Sequence, residues 1–229
     1  YLRLFVNREE MLDKIIKTSN KSEKELTFEI GSNSDLILEN TITGNLEWTI
    51  NNFVPNNKGF LTFPTKFSMV DPLLPLQHNG RVIIRMSINP EEYIRKIEIG
   101  TSPLKQRVEA INKLKKAGYK VGILLAPIIL LEDWKEKYAE LIEYLYNNLS
   151  EEVKKEAFFE LIFMTYSYVH RKINEDAFPD TVNLYDSNLM TGRGKGKYSY
   201  NNETRAEAEI YLRELLKKYF PNNKIEYIV

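Results

Sequence analysis

Two periodicities take turns along this chain, alternation of apolar and polar positions and recurrence of apolar residues every three to four, and their order predicts its architecture. Leu2, Leu4 and Val6 alternate with Tyr1, Arg3 and Phe5, which predicts a strand over 1–7; Met11, Leu12, Ile15 and Ile16 then recur at helical spacing over 8–18. Short strands are expected at 26–30 and 60–64, with a short helix at 45–53 between them. The run of Ser, Asn and Asp at 31–35 is a cluster of turn formers. The most apolar stretch is RVIIRMSIN, 81–89, whose near-continuous Val, Ile and Met content fits a strand covered on both faces. Pro90 forces an extended exit, and EEYIRKIE, 91–98, opens a helix.

Further on, Leu104, Val108, Ile111, Leu114 and Ala117 mark an amphipathic helix over 103–118, with Gly118 as its stop signal. A strand at 120–126 ended by Pro127, a helix at 134–149, a strand at 158–163, a helix at 203–220 and an extended end at 225–229 complete the pattern. Residues 167–200, rich in Asn, Asp, Gly and Lys, read as irregular. Strand and helix alternate at least five times, which argues for parallel βαβ units with right-handed crossovers around one core.

Composition narrows the partners. Lys plus Arg and Asp plus Glu both total 32, so any binding to nucleic acid must come from a local patch rather than from the overall field. There is no cysteine, which excludes disulfides and cysteine-ligated zinc or iron–sulfur sites within these residues. No stretch approaches the roughly 20 apolar residues of a membrane span, and the first residues lack the plan of a signal peptide. A cytoplasmic protein is expected. Because an apolar alternation begins at Tyr1 with no lead-in, an amino-terminal part is expected to precede it.

Small polar and cationic groups collect at strand carboxyl ends, where α/β sheets bind ligands: Ser32, Ser34 and Asp35 after one strand, Lys66 after the next, Ser87 and Asn89 after the third. Such a ring can hydrogen-bond a carboxylate, an amine and ribose hydroxyls, or it can simply cap the helices that follow. In TGRGKGKYSY, 191–200, glycines separate Arg193, Lys195 and Lys197, and Tyr198 and Tyr200 follow; this suits phosphates and stacked bases, or a solvated basic loop. His78 and His170 have no partner at metal-ligand spacing and read as structural or solvated.

Taken together, FEIGSNSD at 28–35, FPTKF at 63–67, HNGRVIIRMSIN at 78–89, the segment 100–128 ending in LLAPI, FFELI at 158–162 and GRGKGKY at 192–198 resemble the spore photoproduct lyase family of radical S-adenosylmethionine enzymes. The resemblance runs in order along nearly the whole chain. It implies an α/β fold, a partial (β/α)6 TIM-like barrel over 1–166, with a carboxyl-terminal extension at 167–229 that carries the basic loop and a closing helix on the same core. It implies repair of a methylene-bridged thymine dimer in DNA, by a deoxyadenosyl radical made from S-adenosylmethionine at a [4Fe-4S] cluster. It also implies that Ser34, Lys66 and Ser87 hold S-adenosylmethionine, with Asp35 and Asn89 helping, and that Arg193, Lys195, Lys197 and Tyr198 contact DNA.

Two departures from the family pattern stand out. The CxxxCxxC motif that binds the cluster would lie before Tyr1, and Ser32 stands where the family often has a hydrogen-donating cysteine. A serine O–H is too strong to donate, so a tyrosine or another thiol would have to replace it. The alternatives are a catalytically inactive fragment or paralogue that binds nucleic acid or nucleotide, and a radical enzyme acting on another substrate.

Overall fold

The computed structural model describes residues 7–31 and 33–229; the strand expected over 1–7 falls, but for Asn7, outside the described residues, as does Ser32. In chain order, α1 (Arg8–Lys21) precedes β1 (Thr27–Glu29), and α2 (Leu36–Thr43) and α3 (Asn45–Phe53) lead to β2 (Phe60–Thr65). Then come β3 (Val82–Ser87), α4 (Glu91–Lys96), α5 (Leu104–Lys116), β4 (Lys120–Ile128), α6 (Trp134–Asn148), α7 (Glu151–Glu156) and β5 (Phe158–Phe163). The remainder is β6 (Thr165–Ser167), α8 (Tyr168–Ala177), β7 (Met190–Gly194), β8 (Lys197–Tyr200), α9 (Asn202–Tyr219) and β9 (Ile225–Ile228).

A six-stranded sheet in the order β1-β2-β3-β4-β5-β9 is parallel at every step. It has the parallel strands expected from the alternation of strands and helices, and it curls into the half-barrel that the family resemblance implies. Its convex face is apolar: Leu61, Phe63, Val82, Ile84, Met86, Val121, Ile123, Phe159 and Leu161 are buried against the helices.

The concave face carries a cluster of ion pairs. Arg85, on β3, reaches Glu29 on β1 at 3.0 Å and Glu160 on β5 at 3.2 Å, although each of those strands is two places away. Two strand spacings are about 9–10 Å, which an Arg and a Glu side chain bridge by lying across the intervening strand, so these ion pairs tie β1, β3 and β5 together over the concave face. Gly122 on the intervening β4 clears their path. A Cβ there would lie 2.5 Å from the Phe158 ring and 3.1 Å from Arg85 Cγ. Tyr227 on β9 donates to Glu160 at 2.8 Å and ties the last strand to the same cluster.

The extension past residue 166 is woven into both sheets, since β9 joins the half-barrel while β8 pairs antiparallel with β6 and β7. Among the described residues, no helix is long and apolar enough to cross a membrane.

Several local outcomes differ from the sequence reading, among them a short helix, α7, between the expected helix at 134–149 and strand at 158–163. Between 31 and 45 there is a helix, α2, in addition to the expected turn: the Asp35 carboxylate caps its first amides, and Gly44 closes it at φ 62°. Pro127 does not end β4, which continues to Ile128 through a register shift between Leu125 and Ile128, where a residue without an N–H is tolerated. Residues 167–200, read as irregular, contain α8 and the β7–β8 hairpin.

Candidate cofactor cavity and basic hairpin

At the carboxyl ends of the strands, a cavity of about 390 Å³ is lined by Ser34, Asp35, Lys66 and Ser87, with Phe67 and Leu124 among its apolar walls. Ser87 faces it because side chains two apart on a strand share a face, and Arg85 sits one step below. Lys66 follows β2 directly. Its ammonium donates to Ser87 Oγ at 3.0 Å, to the Ala126 carbonyl at 3.1 Å and to Glu98 Oε1. The Ser87 hydroxyl in turn donates to the Ala126 carbonyl at 2.6 Å.

Glu98 and Arg107 were not singled out by the sequence reading, yet they organise this end of the barrel. Arg107, 0% exposed, donates to the carbonyls of Ser102 at 2.7 Å and Ser87 at 2.9 Å, to Thr101 Oγ1 at 2.6 Å and to Glu98 Oε2 at 2.8 Å. Burial alone would raise the Glu98 carboxyl, but the Lys66 and Arg107 charges outweigh it and hold it below the usual carboxylate range. Burial draws the Lys66 ammonium below the ordinary lysine range, against the charge and hydrogen bond of Glu98.

The expected site residues separate into three situations. Ser34, on the exposed rim, lines the cavity while its hydroxyl donates to Glu39. Asp35 lines the cavity too, but its carboxylate accepts from the amides of Ile37 at 3.1 Å and Lys66 at 2.8 Å and from Thr65 Oγ1 at 2.8 Å. Those bonds tie α2 to the end of β2. Asp35→Ala is therefore expected to cost about 2 kcal/mol, a lost helix cap plus amides left unpaired. That should lower the melting temperature by roughly 4–8 °C for a chain of this size, read by thermal denaturation, with Asp35→Asn recovering only part of it, because both carboxylate oxygens accept here and an amide has one.

Asn89 does not line the cavity. It is 0% exposed, donates to Glu98 Oε1 at 2.9 Å and accepts from the Tyr138 hydroxyl at 3.3 Å, so it acts behind Glu98. His78 is structural: it stacks on Tyr119 at 3.6 Å, accepts at Nδ1 from the Gly80 amide and uses Nε2 toward the Ala117 carbonyl at 3.0 Å. The exposed His170 lines a second cavity of about 530 Å³, with Tyr166 and Arg171, which shares Pro127 with the first.

The basic segment is a two-residue β-hairpin. Gly194 pairs with Lys197, and the tip residues Lys195 and Gly196 have φ of 51° and 70°. Such a turn needs positive φ at both central positions, where Asn and Gly are preferred, so a lysine there costs about 1 kcal/mol. Arg193, Lys195 and Lys197 are all exposed. Arg193 Nε donates to Ser199 Oγ at 2.6 Å, which fixes one edge of the guanidinium. Tyr198 belongs to an aromatic cluster, with ring centroids 5.0 Å from Tyr185, 5.4 Å from Tyr168 and 6.2 Å from Tyr166.

Among proteins of known identity, the model of the spore photoproduct lyase family matches residues 1–229. The chain is 38% identical to the spore photoproduct lyase of Bacillus subtilis, over 99% of this chain and 68% of that protein. It is 32% identical to that of a Geobacillus strain over the same shares. A doubly substituted spore photoproduct lyase with bound AdoMet and dinucleoside spore photoproduct superposes at a TM-score of 0.92 and 31% identity, covering all of this chain and 69% of that one. The enzyme complexed with dinucleoside spore photoproduct superposes at 0.91. With a family model matched from end to end and a relative at 38% identity, the chain belongs to the spore photoproduct lyase family.

Proposed function

We propose that this chain is the part of a radical S-adenosylmethionine lyase that holds the cofactor and the lesion during repair of the spore photoproduct, a methylene-bridged thymine dimer, in DNA. The observation that carries the reading is the placement of Ser34, Lys66 and Ser87 on one cavity at the carboxyl ends of adjoining strands. Its polar groups fit S-adenosylmethionine: the Lys66 charge for the carboxylate, the Ser34 and Ser87 oxygens as acceptors for ribose hydroxyls or the amine, and apolar walls including Phe67 and Leu124 for the adenine. When bound and reduced at a [4Fe-4S] cluster, that cofactor supplies the radical that abstracts hydrogen. No cluster donors lie among these 229 residues, since the chain has no cysteine.

The chain's own residues then have separable tasks. Lys66 and Ser87 would hold the cofactor at the ends of β2 and β3, beside the neighbouring cavity that shares the Pro127 wall. That 530 Å³ space, with Tyr166, His170 and Arg171, is where the thymine pair lies. Arg193, Lys195 and Lys197 hold the flanking phosphates, and the cluster around Tyr198 offers aromatic faces to a base taken out of the stack.

Titration of the full-length, cluster-loaded protein with S-adenosylmethionine tests the cavity. Loss of one charge-assisted contact is about 1.5–3 kcal/mol, so Lys66→Met is expected to bind some ten- to hundredfold more weakly. Parental affinity in that variant would remove Lys66 from the cofactor site.

A further inference from the structure

We propose that Glu98, braced by Arg107 and Asn89, is a positioning residue for Lys66 and sets where the ammonium stands in the cofactor cavity. The inference rests on the reading that Lys66 meets the cofactor. An ammonium on a four-carbon stem has three donors and little intrinsic direction. Here each donor has an acceptor, Ser87 Oγ, the Ala126 carbonyl and Glu98, so a cofactor carboxylate would take the place of one of the two neutral acceptors while Glu98 keeps its own. Glu98 is the charged one of the three. Ser87 can only accept, because its own proton goes to Ala126.

Glu98 is also held from behind. Oε1 accepts from Asn89 at 2.9 Å and Oε2 from Arg107 at 2.8 Å, and the Arg107 guanidinium is anchored on two main-chain carbonyls. The carboxylate therefore cannot swing without breaking a buried ion pair, and it presents a fixed charge to Lys66. Lys66 and Arg107 contribute two positive charges, and Glu98 and the nearby Asp35 contribute two negative ones, so the cluster is neutral overall and the Lys66 ammonium is the cation that lines the cavity.

Glu98 has a second effect, on protonation. The groups facing Lys66 are Glu98, Arg107 and Asp35; burial and Arg107 favour the neutral amine, and Glu98 and Asp35 favour the ammonium. Removing the Glu98 charge leaves burial and Arg107 with only Asp35 opposing them, so Lys66 should lose its proton at lower pH than in the parent.

The test is calorimetric titration of the cluster-loaded, full-length protein with S-adenosylmethionine from neutral to alkaline pH, in the parent, Glu98→Gln, Lys66→Met and the double variant. Glu98→Gln is expected to weaken binding about tenfold, to move the alkaline fall in affinity to lower pH, and to add nothing once Lys66 is Met. Glu98→Asp keeps the charge that pairs with Arg107 but draws the carboxylate back by one methylene. It should lose affinity without moving the pH profile, and it carries the test if Glu98→Gln does not fold. Parental affinity in Glu98→Gln or Glu98→Asp, beside weakened Lys66→Met, overturns the proposal and leaves the cofactor site standing. An equal loss with and without Lys66 also overturns it, because Glu98 would then act through the fold. Parental affinity in Lys66→Met strikes the underlying reading instead.

Discussion

Replacing Arg107 by alanine should lower the melting temperature by roughly 6–20 °C, the largest stability effect expected of any single change at this site. Its guanidinium is fully buried and bonds to two carbonyls, one hydroxyl and Glu98. Removing one partner of a buried ion pair typically costs about 3–5 kcal/mol, because the other charge stays buried without its full compensation. At about 2–4 °C per kcal/mol for a chain of this length, that gives the stated range. Glu98 would keep Lys66 and Asn89, which places the expectation toward the lower end. Thermal denaturation followed by circular dichroism decides it. A shift under about 3 °C would mean that water reaches Glu98 and that the triad is not an enclosed network.

The same triad shows where the sequence could be read and where it could not. Lys66 and Ser87 were legible because a strand's last residues face the end of the sheet, and the residue after a strand needs no long-range information to be placed. Arg107 had a signal that passed unused. It falls on the apolar stripe of its helix, between Leu104 and Ile111, and a charge at such a position is either buried with a partner or a break in the pattern. Glu98 was harder to find. The sequence pattern makes it the last residue of a helix over 91–98, but α4 stops at Lys96, and Glu98 then turns inward to meet a lysine 32 positions earlier. That pairing depends on the loop after α4 folding back over the end of β2, where the Ser102 amide donates to the Lys66 carbonyl, and no local pattern encodes it.

The parallel strands were legible for a simple reason: strands covered by helices leave long apolar runs, and such runs at 60–65, 82–88, 120–128 and 158–163 are present here. Their closing into a half-barrel was expected from the resemblance alone, and the ion pairs across its concave face were not foreseen. Glu29, Arg85 and Glu160 are scattered charges in sequence, and their meeting on one concave face follows only from the strand order and register. Polar residues inside strands were the available sign, since a charge in the middle of RVIIRMS must be paired if the strand is covered. Residues 167–200 resisted for another reason. The amphipathic α8 buries none of its side chains, so its pattern has no apolar core to match.

Removing both Arg193 and Lys197 by alanine substitution should weaken duplex DNA binding by tenfold or somewhat more while leaving the melting temperature within about 1 °C. Exposed charge contacts contribute up to about 1 kcal/mol each, so two together reach that weakening. Stability should hold because both side chains are exposed and Arg193 has one intramolecular bond, to Ser199. The sharper readout is salt. A chain with 32 cationic and 32 acidic side chains has no net field to draw DNA, so affinity must depend on local contacts such as this hairpin. Each phosphate contact contributes about 0.9 to the slope of log K against log salt on duplex DNA, so the double variant should lose about 1.8. The loss should be the same for any duplex sequence, because phosphate contacts carry no base information. Lys195→Gly separates geometry from charge: it removes a cation while relieving the positive φ at the tip, so it should stabilise the turn and still lower the slope by about 0.9. Equal slopes in the parent and the double variant would show that the hairpin is a solvated connection and that DNA is held by another face.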